Sequence, residues 1–311
     1  MLARGFLPEH VALYDFRRWQ PCQYLTAWEV ESRLDGLDTG PGRAILDDKE
    51  RTHEAFQRAG AGDLLPPWLG RVEDGVFVPR PGGPGSLAEA LTAYPRLFLK
   101  PRNGSQGSGA RVVSATVDVP DTGDYLVEGC LEQHPTLREI YPRAVNTLRV
   151  LTVRHPTAGL FVARMAQRIG TDLSAPTDNY SRRGLVAGVR DGVLLDAVTR
   201  PGPHGVARLT HHPDTGARIE GVALPFPELI EDLMLRAAAV VPDVVHVGWD
   251  VALTSDGPVL LEGNAGIANP NVFQAHRPLL DDPRLIGFYE RHGVISTRKA
   301  RSAAALLPAP R

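Results

Sequence analysis

The chain has 311 residues, a formal net charge of −2, 43% hydrophobic and 23% charged residues. That length supports a substantial core and more than one lobe, and the near-neutral charge excludes a global basic field of the kind that draws proteins to nucleic acid or anionic membranes. No apolar run approaches the roughly 20 residues needed to span a bilayer, Met1 to Phe6 lack a signal-peptide core, and Cys22 and Cys130 make neither a metal pair nor a disulfide framework, so a cytoplasmic protein without membrane insertion or nucleic-acid partners is expected.

Residues 1–46 mix aromatic positions (Tyr14, Phe16, Trp19, Tyr24, Trp28) with charges, and 27–34 fits one short helix. From Asp47 the pattern is helical: Asp47 or Asp48 can cap, Ala55, Phe56 and Ala59 share a side, and Gly60 stops the run. A hairpin is expected over 71–78 with Glu73, Asp74 and Gly75 at its tip. The breaker cluster 81–85 is a candidate lobe boundary, and Ser86 caps a helix reaching Tyr94.

Beyond that point strands dominate. They are expected at 96–100, 110–115, 125–128, 148–154, 160–169, 184–189 and 193–196. A helix over 225–241 can turn Leu229, Leu233, Leu235 and its alanines toward a sheet, and 244–253 pairs with 258–262 across a turn of Thr254, Ser255, Asp256 and Gly257. The tail after His292 is rich in Arg, Ala and Pro and is expected to be frayed. Helices and strands do not alternate regularly, which points to an α+β fold rather than a doubly wound sheet.

The only lysines are Lys49, Lys100 and Lys299, in a chain whose positive charge is otherwise arginine. Lysine is a compact charge on a flexible stem that reaches a phosphate oxygen in a narrow slot. Lys100 closes an apolar strand and is followed by Pro101 and the loop Asn103, Gly104, Ser105, Gln106, Gly107, Ser108, Gly109. Glycines let backbone N–H groups approach phosphates closely. The loop is neither a Walker A motif, lacking Gly-Lys-Ser/Thr, nor a Rossmann turn, since strand follows it. A mobile flap over a triphosphate and a plain hairpin tip both fit.

A second constellation lies distally. Asp250 sits in an apolar strand, and Glu262 and Asn264 sit on the paired strand, two apart and so on one face. Two carboxylates and an amide oxygen make a hard-oxygen site suited to Mg²⁺ held jointly with phosphates; apolar neighbours argue against an idle surface pair. Arg149, Arg164, Arg168 and Asn179 fall between. Arg164 and Arg168 share a strand face, and such arginines can clamp a carboxylate or stabilise a phosphoryl group in transfer.

In this order the pieces resemble the ATP-grasp superfamily: Lys49, Lys100-Pro101 with its glycine loop, Leu126-Val127-Glu128, Arg149, Arg168, Asn179, Asp250 and Glu262-Gly263-Asn264. Gln133-His134-Pro135, Asn146-Thr147-Leu148-Arg149 and Gly248-Trp249-Asp250 are most similar to the sugar-transfer associated branch, and the resemblance covers roughly 45–290. It implies an ATP-grasp fold of two α+β subdomains with the nucleotide between them: a short N-terminal segment (1–46, a reduced substrate domain), an N-terminal subdomain (47–134), a C-terminal subdomain with the metal site (135–292) and a flexible tail (293–311).

The resemblance further implies ATP contacts from Lys49, Lys100, Asn103, Gly104, Ser105, Gly107, Ser108, Gly109, Glu128 and Leu131, with Glu128 bordering the adenine through backbone and side chain. Asp250, Glu262 and Asn264 would hold Mg²⁺ or Mn²⁺, and Arg168, Arg149 and Asn179 would act in catalysis. The implied reaction is ATP-dependent ligation of a small-molecule carboxylate to an amine through an acyl-phosphate. The alternatives are a phosphotransferase acting on a hydroxyl or acid, and a nucleotide-binding partner without turnover. Two departures stand out. Thr147 occupies a position that is acidic in ribosomal-protein glutamate ligases, leaving Glu132 or Glu139 for the ribose, and Gly248-Trp249 replaces an arginine of D-alanine ligases. No sequence feature sets an oligomeric state.

Overall fold

A computed structural model describes residues 5–34, 36–102, 109–202, 205–266 and 269–308. The chain starts with α1 (Pro8–Leu13), α2 (Ala27–Glu29, continued by a π turn over Val30–Leu34), α3 (Pro41–Leu46) and α4 (Lys49–Arg58). Asp48 is the cap of α4: its carboxylate accepts from the N–H groups of Glu50 (3.0 Å) and Arg51 (3.2 Å), and Gly60 at φ +69° turns the chain away.

Next come β1 (Trp68–Glu73), β2 (Val76–Pro79), α5 (Leu87–Ala93), β3 (Leu97–Pro101), β4 (Arg111–Val113) and β5 (Asp124–Gly129). They form one antiparallel sheet in the order β2-β1-β5-β3-β4, with α5 packed on it through Ala90. The 81–85 cluster is therefore a connection inside one sheet and not a lobe boundary. The hairpin β1–β2 lies beside β5, a long-range pairing that local breaker residues do not reveal.

The second sheet is built from β6 (Thr147–His155), β7 (Gly159–Ile169), β8 (Leu185–Arg190), β9 (Val193–Val198), β10 (Arg208–Leu209), β11 (His246–Thr254) and β12 (Gly257–Ala265), in the order β10-β9-β8-β7-β6-β11-β12. α6 (Pro135–Ile140) leads into it and α7 (Pro227–Val240) lies on one face. The buried stripe of α7 is Ile230, Leu233, Met234, Ala237 and Ala238; Leu233 faces inward as expected, whereas Leu229 is 45% exposed and Ile230 takes the inward place in that turn.

Both faces of this sheet are covered, which is why β11 is buried along its whole length. Val247, Trp249, Val251 and Leu253 join the core beneath α7. Leu151, Val153 and Ala166 face a second core formed by the N-terminal segment together with α8 (Pro270–Gln274), α9 (Pro283–Arg291) and α10 (Thr297–Ala304).

That second core corrects one expectation. The tail is not frayed: Val294, Ile295, Ala300 and Ala303 are buried in it, and Lys299 Nζ pairs with Glu29 Oε2 at 2.5 Å. The N-terminal segment packs into the same core. Tyr14 stacks on Tyr24, Phe16 meets Phe6 and Tyr24 edge to face, and Gln274 on α8 ties this cluster down, accepting from Leu25 N (2.8 Å) and donating to Tyr14 Oη (3.0 Å). The two sheets are joined just after β5. His134 N donates to Leu253 O (2.7 Å), and Gln133 pairs with Thr254, its side chain bonding Tyr141 O, Ala144 O and Asn146.

Candidate active site

Alternation along β6, β7 and β11 supplies the polar floor of the site. With the odd residues of β11 committed to the core under α7, Asp250 points to the other face, where Arg149 on β6 and Arg168 on β7 meet it. Arg149 Nη2 donates to Asp250 Oδ2 (3.1 Å), with Nε 2.6 Å from Oδ1, and Arg168 Nη2 lies 3.3 Å from Oδ2. Asp178 braces the assembly, accepting from Thr147 N (2.7 Å) and Thr147 Oγ1 (2.5 Å) and standing 3.2 Å from Arg168 Nη2. Arg168 Nε also donates to Thr147 Oγ1 at 2.9 Å. Thr147 is thus an anchor for Arg168.

Glu262 reaches this floor by a register shift. Asp250 pairs with Glu262 across β11–β12, but Val251 pairs with Leu260, so Leu261 is the extra residue of a bulge. Leu260 and Glu262 would share a face on a regular strand; the bulge sends Leu260 to the core and Glu262 to the cleft beside Asp250. Asn264 Nδ2 donates to Gly248 O (3.3 Å) and Glu262 Oε1 (3.4 Å).

The first sheet provides the opposite wall. Lys100 at the end of β3 pairs with Glu128 on β5 (Nζ–Oε2, 2.7 Å), and Glu128 Oε1 lies 2.9 Å from His53 Nε2 on α4. The Glu128 side chain is therefore spent on Lys100 and His53, where an adenine contact was expected. Lys49, one helical turn before His53, lines the same cleft.

These groups enclose two joined cavities of about 220 and 350 Å³. The first is an apolar slot walled by Phe98, Val145, Leu131 and Leu261, closed at one end by Lys49, Lys100, Arg168, Asn179, Asp250 and Glu262. The second continues beyond the same cations toward His53, Arg149, Ser181, Asn264 and Asn269.

The electrostatics follow from burial. Burial pushes Asp250 up to about 6 despite Arg149 and Arg168. Burial would raise Glu262 too, but its contact with Asp250, then Arg149 and Lys100, holds it below the usual carboxylate range. Two touching carboxylates, Asp250 buried and Glu262 half-buried, compete for one proton. Burial likewise pulls the Lys49 ammonium down, with Glu262 opposing it. For Glu128, burial is outweighed by Lys100 and His53, which keep it low.

The sequence profile of the sugar-transfer associated ATP-grasp family matches residues 110–276, more than half of the chain. The chain belongs to this ATP-grasp family. No curated protein matches it. Among solved structures, D-alanyl-alanine synthetase A from Vibrio cholerae is similar at 12% identity and TM-score 0.49, over 86% of this chain and 68% of that one. The D-alanine–D-alanine ligase from Coxiella burnetii is similar at 12% identity and TM-score 0.44, over 85% and 63%. N5-carboxyaminoimidazole ribonucleotide synthetase from Thermotoga maritima is similar at 12% and 0.42, over 76% and 49%. This ATP-grasp chain thus spans between about half and two thirds of the length of these proteins.

Of the residues expected at the site of this family member, Lys49, Lys100, Glu128, Leu131, Arg149, Arg168, Asn179, Asp250, Glu262 and Asn264 all line the joined cavities. Asn103, Gly104, Ser105, Gly107 and Ser108 lie outside the described residues; Gly109 takes φ +77°, and Ala110 borders the slot. Arg164 shares a sheet face with Arg168 but is held by Asp281 outside the cleft. Glu132 pairs with Arg96 and Arg138 and does not line the slot; neither does Glu139. His53 and Asp178 went unseen in the sequence; for Asp178 the only signal was its place beside Asn179.

The donor set fits a divalent cation shared with a ligand. Among the described residues, no three His, Cys, Asp or Glu side chains gather closely enough to hold an ion alone. Asp250 and Glu262 touch, the buried Asp250 Oδ1 has Arg149 Nε 2.6 Å away as an ion-pair contact, and the Asn264 amide lies against Glu262. Two protein carboxylates and one amide oxygen, completed by phosphate oxygens, suit Mg²⁺ or Mn²⁺.

Proposed function

We propose that the protein is an ATP- and Mg²⁺-dependent ligase that joins a small-molecule carboxylate to an amine through an acyl-phosphate, with the two sheets acting as its two lobes. The observation that carries this reading is the junction of an apolar slot with a cavity rich in hydrogen-bonding groups, at one cluster of Lys49, Lys100, Arg168, Asp250 and Glu262. An adenine ring suits the slot, which directs the triphosphate at that cluster. Asp250, Glu262 and Asn264 would hold the cation, which supplies charge neutralisation on the phosphates.

The chain's own residues have separate tasks. Lys49 and Lys100 take phosphate charge, and Arg168, held by Asp178 and Thr147, faces the point where the two anions meet. Bringing a carboxylate to a phosphate opposes two negative charges, so fixed cations and orientation supply most of the catalysis. A carboxylate oxygen attacks the γ-phosphorus and ADP leaves; the amine nitrogen then attacks the acyl carbon and phosphate leaves.

ADP release screened against a panel of carboxylates, alone and with amines, tests the proposal. Release that needs both substrates, yielding an amide plus phosphate, supports ligation. A phosphorylated product without an amide identifies a phosphotransferase, and absence of nucleotide binding removes both readings.

A further inference from the structure

His53 belongs to no motif used above, yet it is 3% exposed and its ring is committed to the cleft. Its Nε2 is 2.9 Å from Glu128 Oε1, and Lys100 Nζ is 2.7 Å from Glu128 Oε2. The imidazole stacks on Trp68 with centroids 5.5 Å apart, and Trp68 is the partner of Glu128 across β1–β5. One carboxylate, 2% exposed, is thereby fixed from two sides.

A buried carboxylate needs a donor at each oxygen; if one is lost, it rotates or shifts toward the partner that remains. An ammonium on a four-carbon stem has no orientation of its own and stands where its partner holds it. Resting on the nucleotide reading of the cleft, we infer that His53 is a positioning residue: acting through Glu128, it fixes where the Lys100 ammonium meets the phosphates. The Glu128 carboxylate then serves the lysine and not the base. Because Lys49 lies one turn earlier on the same helix, the His53–Glu128 contact also joins α4 to β5, setting the two cation positions together.

The test is titration calorimetry on the full chain with Mg²⁺–ATP and with adenosine. Both probes enter the apolar slot, but only ATP reaches the ammonium. His53→Leu is expected to weaken ATP about tenfold while adenosine stays within about twofold. His53→Gln keeps an N–H donor and is expected to return ATP affinity to within about threefold of the parent. Glu128→Gln, an independent variant should a His53 change not fold, is expected to weaken ATP while leaving the preference for ATP over GTP unchanged. Parallel loss of ATP and adenosine, undiminished ATP affinity in His53→Leu, or a changed ATP-to-GTP ratio in Glu128→Gln overturns the inference. A parent chain that binds no ATP overturns the nucleotide reading together with it; a parent that binds, with variants that match it, overturns the positioning role alone.

Discussion

Asp250 and Glu262 stand directly opposite each other on adjacent strands, yet the next pair along is Val251 with Leu260, so a single extra residue, Leu261, decides that both carboxylates enter the cleft. Asp250 is neutralised by two guanidiniums, Arg149 and Arg168, whereas Glu262 sits against the Asp250 carboxyl and the Asn264 amide. The pair is alike in position and unlike in support.

That difference separates two substitutions. Asp250→Asn and Glu262→Gln are each expected to lower Mg²⁺-dependent ATP turnover at least about a hundredfold. Only Asp250→Asn also leaves Arg149 and Arg168 short of a buried counter-charge, at a cost of about 3 kcal/mol. Denaturant titration of both variants measures this; equal stability loss would contradict the ion-pair geometry.

Lys100→Ala is expected to weaken ATP binding at least about tenfold, the worth of a charge-assisted contact. Lys100→Arg is not expected to restore it, since a planar fork cannot meet both Glu128 and a phosphate from the same stem. Normal ATP affinity in Lys100→Ala would remove the lysine from the phosphate site.

The C-terminal helix should behave as part of the core. Arg298 and Arg301 are expected to resist trypsin in the native chain, although both carry the cleavable side chain. Lys299→Ala, which leaves the largely buried Glu29 carboxylate without its counter-charge and held by Thr26 alone, should reduce stability by about 1–3 kcal/mol and open α10 to the protease. Rapid cleavage of the parent at these sites would restore the frayed tail.

Stability should also fall in mild acid. Burial pulls His246 from 6.5 down to about 4, with its Nε2 3.0 Å from Tyr289 Oη. Above pH 6.5 neither state holds the extra proton. As pH falls from 6.5 to about 4 the unfolded chain binds a proton that the folded chain refuses, so unfolding becomes easier by up to about 1.4 kcal/mol per pH unit, about 3 kcal/mol in all. Below that the folded state protonates too and this contribution levels off. His246→Gln should flatten the curve of denaturation midpoint against pH across this window; an unaltered slope would place the titration elsewhere.

The sequence carried what depends on local pattern. Asp48 as a cap, the Glu73-Asp74-Gly75 hairpin tip, the β11–β12 pair and the common face of Glu262 and Asn264 all follow from periodicity and turn chemistry. What escaped depends on distant partners. The bulge at Leu261 is a property of two strands, and His53 reads as an ordinary helix residue until Glu128 is beside it. Asp178 gains meaning only from Arg168 and Thr147. Alanines contribute little apolar area, so Ala300 and Ala303 gave the tail no visible stripe, although three residues apart they bury one side of α10.

The crossover between the sheets, where Gln133 and His134 are bonded to Thr254 and Leu253, sits within six residues of Glu128. A tether so close to the slot is placed to act as a pivot, so that any relative motion of the two sheets would be smallest there and grow toward the edge strand β4.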